Sequence, residues 1–254
     1  NIVMDLIILQ ELPNQLKPSI IHKRLNDFNL QYKTNYLQKK LNDIYENTLK
    51  VLNPIFNYSY TGKEYTKQSH SQQINTIIWQ FGHLILFYLN NVIKLLKNQN
   101  ILSKNNEYII KIVEYFTKII NFKDDGIHYY NYFDSFITSS NIRYLLLHKL
   151  DIKYLRKAYT LVIELLNIYL ETLIISNKNN KSFLLNPIDS YLIMLGILHN
   201  DMHYEAILFT QHFFNYPKPE QFILPELNII KSSEDCQILS EKKNILDFLD
   251  IDYI

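Results

Sequence analysis

Two of the eight histidines, His199 and His203, stand four residues apart, among the apolar positions Leu192, Leu195, Met202 and Ala206. On a helix that spacing places both imidazoles on one face, one turn apart, which suits two ligands of one metal ion. Taken alone, such a pair is more often two hydrogen-bonded core or surface histidines. A third residue changes the balance. His83 lies within Trp79-Gln80-Phe81-Gly82-His83, inside an apolar segment where an unpaired polar ring is expensive to bury. Gly82 costs about 1 kcal/mol of helix propensity, which suggests that a neighbour or ligand must come close there. Three imidazoles from two packed helices take one side of an ion and leave other positions open, as catalytic rather than structural sites do. Glu205 completes His-x-x-x-His-x-Glu, but two residues beyond His203 it is rotated off the shared face and is expected to support the site rather than ligate.

These side chains need rigid elements to hold them, and the sequence predicts helices. Four Gly and seven Pro are too few for the frequent turns of a sheet-rich fold. A first helix is expected over 31–53, with Leu37, Leu41, Ile44, Leu49 and Val51 inward and a stop at Pro54. Residues 57–73 read as a loop, and 74–97 as a buried helix that is apolar almost all round. Ser103 is expected to start a third helix ending near Phe122. Residues 123–149 lack a helical period and read as a long ordered loop. A fourth helix is expected over 151–175 with Asp151 as N-cap, and a fifth after Pro187, capped by Asp189 or Ser190, to about Phe214. On that last helix the stripe Leu192, Leu195, His199, Met202, Ala206, Phe209 and Phe213 is expected to face the other helices. Residues 1–30 form a lead-in, 31–219 the helical domain and 220–254 a tail, with one weak helical segment from Ser240 to Leu249.

Composition narrows the function classes. A net charge of +1, with basic residues spread along the chain, lacks the patch that condenses onto phosphate backbones, so nucleic acid is not expected as a partner. The apolar stretch Ile77–Leu89 is interrupted by Gln80 and His83 and falls short of a bilayer span, so no membrane helix is expected. The single cysteine, Cys236, cannot form an internal disulfide, and a reducing, cytoplasmic setting fits. Among the remaining histidines, His70 and His128 fall in loops, His212 lies nine residues past His203, and His22 and His148 carry no pattern. Tyr88 and Tyr204 flank the histidines as packing residues.

Trp79-x-x-Gly82-His83, Phe133-Asp134-Ser135-Phe136 followed by Arg143, and the run from Leu195 to Ala206 containing His199-Asn200-Asp201-Met202-His203-Tyr204-Glu205 occur in an order that resembles a known family. They are similar to the N-terminal DinB-like domain of the non-heme iron sulfoxide synthases, the enzymes of ergothioneine and ovothiol synthesis, and to the related selenoneine synthases. The likeness covers about Ser69 to Gln221, and Phe213-Phe214-Asn215-Tyr216-Pro217-Lys218-Pro219 resembles the family's exit from its last helix. The resemblance implies an all-α, DinB-like four-helix bundle in which His83, His199 and His203 bind Fe(2+). It implies oxygen-dependent joining of a thiol or selenol to an imidazole carbon of a histidine derivative, with Trp79 and Glu205 close behind the ligands. It also implies that Arg143 grips the carboxylate of the thiol substrate, as a guanidinium fork can.

The family's second, sulfatase-modifying-factor-like domain, rich in Gly and Trp, has no counterpart in a chain with one Trp and four Gly. Part of a longer protein, a separate chain that supplies the missing half, and altered or lost catalysis are the three expectations. Two other readings remain open: a DinB-like thiol transferase or hydrolase with zinc or nickel, and a degenerate helical scaffold without metal.

Overall fold

The computed structural model describes residues 30–59, 74–119, 132–139, 143, 152–217 and 236–238. The expectations placed on His22, His70, His128, His148, the Asp151 cap and the segment from Ser240 to Leu249 lie outside them. Among the described residues the order is β1 (Leu30–Tyr32), α1 (Thr34–Ser59), α2 (Ile77–Phe87), α3 (Gln99–Lys104), α4 (Asn106–Ile119), α5 (Ile152–Ser176), α6 (Pro187–Phe213) and β2 (Cys236–Ile238). Helices α1, α5, α2 and α6 pack in a ring, each against the next, with α4 laid on the outer side of α5. The described residues are therefore helical apart from a short antiparallel ribbon that pairs Tyr32 with Cys236 and Leu30 with Ile238, and an isolated bridge between Lys33 and Leu184.

Helix α1 buries Leu37, Leu41, Ile44 and Val51, as its period requires. It does not stop at Pro54 but runs through it to Ser59. An internal proline costs about 3 kcal/mol, and the burial of Ile55 and Phe56 immediately beyond it offsets that cost. The chain after α2 also departs from expectation. α2 gives way to a single π turn over Tyr88–Val92 and then a 3-10 turn over Ile93–Leu95. Ser103 starts no helix; it sits inside the short α3, and Asn105 separates α3 from α4.

Helix α6 begins at Pro187 with Asn186 as its cap, the Asn186 Oδ1 accepting from Asp189 N–H at 3.0 Å. Asp189 is no cap, yet its buried carboxylate accepts from Tyr169 O–H at 2.7 Å and from Lys97 N–H at 2.8 Å, tying α5 and the end of the 3-10 turn to the start of α6. α6 ends where Asn215 takes a positive φ of 52° and the Tyr216 N–H reaches the Gln211 carbonyl at 2.8 Å.

The inward face of α6 is rotated from the predicted stripe. Ile193, Gly196, Ile197, Asn200, His203, Tyr204 and Ile207 are buried, whereas Met202, Phe209 and Phe213 are exposed. The helix is apolar on most of its circumference, so periodicity alone did not choose between faces. Gly196 helps to decide it, since a Cβ there would lie 2.6 Å from the Tyr88 ring and 2.9 Å from Val92, on the π turn. By length and composition α5 alone, among the described residues, is long and apolar enough to cross a membrane, a feature the sequence reading placed nowhere. Leu155, Val162, Ile163, Leu165, Leu166, Leu170 and Ile174 on this helix are buried, where it packs against α1, α2 and α4, whereas Leu161, Ile168 and Leu173 are only half-buried.

Candidate metal centre

Helix α2 is capped by Thr76, whose hydroxyl accepts from the Trp79 N–H at 3.3 Å, and two turns on it delivers His83 to the face that meets α6. α6 delivers His199 and His203 to the same place. The ring centroids lie 5.4 Å (His83 to His199), 5.1 Å (His83 to His203) and 4.7 Å (His199 to His203) apart. One nitrogen from each ring falls within 4.8 Å of the other two. The three histidines are brought together as predicted.

Their protons are arranged for ligation. His83 Nδ1 lies 2.8 Å from the Phe133 carbonyl, and a carbonyl only accepts, so Nδ1 carries the proton and Nε2 keeps its lone pair. His199 Nε2 and both ring nitrogens of His203 are buried without a hydrogen-bond partner. Orphaned polar atoms of this kind are rare in folded proteins and call for an explanation. Burial is the main force holding all three rings neutral. It lowers His203 to about 3, with the neighbouring His199 and His83 adding to the effect. His199 is also lowered to about 3, by burial and then by His83. His83 is lowered as well, burial outweighing the Phe133 bond and the Asp134 charge that favour its protonated form. Neutral imidazoles with free lone pairs are the form that binds a metal.

The surroundings are aromatic and tightly fitted. Phe87 stacks on His199 with centroids 3.6 Å apart, and Trp79 stacks on His83 at 5.0 Å and 10° between planes. Trp79 Nε1 donates to the Tyr132 carbonyl at 3.0 Å, so two successive carbonyls, of Tyr132 and Phe133, hold Trp79 and His83 one turn apart. Gly82 allows this approach, because a Cβ at that position would overlap the Phe133 ring. The close neighbour that the glycine implied is thus Phe133.

Two other predicted residues take different places. Glu205 is exposed and stands away from the inward face of α6. Arg143 lies over the Trp79 ring at 4.0 Å. Its Nε donates to the Thr138 carbonyl at 2.9 Å, Nη1 to Asn75 Oδ1 at 3.0 Å and Nη2 to the Ser135 carbonyl at 3.0 Å. All three nitrogens are thus engaged inside the protein.

Sequence reasoning missed Asn200, the residue between the ligands. Its Oδ1 accepts from Tyr159 O–H at 2.6 Å and Tyr88 O–H at 3.4 Å, and its Nδ2 donates to Thr48 Oγ1 at 2.8 Å. One fully buried amide thereby joins α1, the π turn after α2, α5 and α6 directly behind the histidines. A polar residue amid the apolar positions of α6 was the available signal.

Comparison with known proteins leaves the family open: no family model, curated protein or solved structure matches the chain. What stands is a helical protein with a buried cluster of three histidines able to hold a metal ion.

Proposed function

We propose that the chain binds one Fe(2+) ion through His83, His199 and His203. We further propose that it serves, alone or with a sulfatase-modifying-factor-like domain or chain, in oxygen-dependent joining of a thiol or selenol to a histidine derivative. The carrying observation is the set of buried lone pairs at His199 and His203 that no protein group satisfies, facing a His83 whose tautomer is already set. One metal ion accepts a lone pair from each of the three rings at once. The choice of iron and of this reaction rests on the resemblance of the motifs around His83, Phe133–Phe136 and His199–Ala206 to the non-heme iron sulfoxide synthases.

Iron(II) in such a site supplies reactivity toward dioxygen together with affinity for a thiolate or selenolate. The chain's own residues orient and shield. The Phe133 carbonyl holds His83, Phe87 and Trp79 wall two of the rings, and neutral ligands leave the full charge of the ion to attract an anionic sulfur or selenium.

The all-imidazole donor set also favours a second reading, a zinc or nickel thiol transferase or hydrolase, because three histidines plus a water suit zinc equally. Anaerobic titration with Fe(2+) should saturate at one ion per chain in the wild type and fail in His83→Ala, His199→Ala and His203→Ala. Oxygen uptake on adding a thiol and a histidine betaine to the iron-loaded protein supports the synthase reading. Turnover of a thiol substrate without oxygen, on the zinc-loaded protein, replaces it with the second. No stoichiometric binding of any of these metals leaves a scaffold.

A further inference from the structure

We propose that Arg143 is a positioning residue for the metal centre, acting through Trp79 and the 132–139 segment to fix the direction and tautomer of His83. The proposal rests on the metal reading only for its affinity arm. Arg143 and His83 both stack on the ring of Trp79. The same guanidinium closes the segment on itself, through the carbonyls of Ser135 and Thr138, and ties it to Asn75, just ahead of α2. Its own carbonyl accepts from Tyr132 O–H at 2.6 Å, so the segment is clasped at both ends. The clasped segment is the one whose Tyr132 and Phe133 carbonyls hold Trp79 and His83.

A planar fork with donors on every nitrogen makes all these bonds at once, which an ammonium cannot. Partners that orient a histidine ligand typically set its affinity for metal by about 10–100-fold. Linkage then makes the effect mutual: metal loading holds the segment in place, and loosening the segment weakens the metal.

The protein's single tryptophan is Trp79 itself, so its fluorescence reports on the stack, and Co(2+) alone is the probe of the site. Arg143→Ala should weaken Co(2+) binding by about tenfold or more, and Arg143→Lys should fail to restore it. As a control for lost stability, Tyr169→Phe removes a hydroxyl bonded to Asp189, about 15 Å along α6 from His199, and should leave the affinity unchanged. In metal-free protein, nitrogen NMR should show His83 held as the Nδ1–H tautomer in the wild type and as a tautomer mixture in Arg143→Ala. Unchanged tautomer and unchanged affinity in Arg143→Ala overturn the proposal. A wild type that binds no Co(2+) overturns the metal reading instead, and the tautomer measurement still decides the role of Arg143.

Discussion

Helix α6 carries an amide and a pair of imidazoles whose buried polar atoms are treated in opposite ways. Asn200 has donors and an acceptor drawn from three other parts of the bundle. Its neighbour along the helix, His199, and His203 one turn on present buried nitrogens to no protein partner. Leaving a buried polar atom unmet costs about 1–3 kcal/mol, and the bundle that satisfies Asn200 so fully has not satisfied the histidines. The contrast separates a polar group that builds the fold from polar groups kept available for something else.

The comparison predicts opposite outcomes for two similar substitutions. His203→Leu, close in volume, should abolish high-affinity metal binding, a loss of roughly several hundredfold to several thousandfold if three ligands share the ~10–16 kcal/mol of a protein-bound zinc. The metal-free protein should keep or gain stability, because an unpartnered ring leaves the interior. Asn200→Leu should do the reverse and lower stability by about 2–4 kcal/mol, since Tyr159, Tyr88 and Thr48 lose their shared partner. Urea unfolding and isothermal titration with Zn(2+) read both effects. Equal destabilisation by the two variants would remove the distinction.

Gly82→Ala sharpens the picture on the facing helix. The added methyl overlaps the Phe133 ring and must push it, with its carbonyl, away from His83. A destabilisation of about 1–3 kcal/mol is expected, with weaker metal binding alongside. Unfolding and titration of that single variant check it.

A further effect is on pH dependence. His199 and His203 titrate near 3 in the folded protein against 6.5 for a free histidine, so between those values the unfolded chain binds protons that the folded chain refuses. Metal-free stability should therefore be greatest above pH 6.5 and fall as the pH drops toward 3. Asp201, raised to about 6 by burial, takes up a proton on folding in the upper part of that range and opposes the trend in part. His203→Leu should flatten the fall between pH 7 and 5, measured as urea midpoints. A profile identical to wild type would mean that His203 is not held neutral by the fold.

Much of this was legible from residue order. Scarce glycine, the spacing of Leu37, Leu41 and Ile44, and the four-residue step from His199 to His203 specified helices and a histidine pair, because those patterns act over one or two turns of a single helix. The glycine beside His83 announced a close neighbour. Other features depend on which surface meets which. The inward face of α6 was misjudged because apolar residues surround most of that helix. The continuation of α1 through Pro54 reflects packing that lies beyond the proline. The engagement of Arg143 with Trp79, and the carbonyl that orients His83, join residues 50 or more positions apart in the chain. Local chemistry thus determined that helices would form and which side chains were able to bind a metal. Only tertiary packing, which balances burial over the whole bundle, decided that three of those side chains meet with their lone pairs unspent.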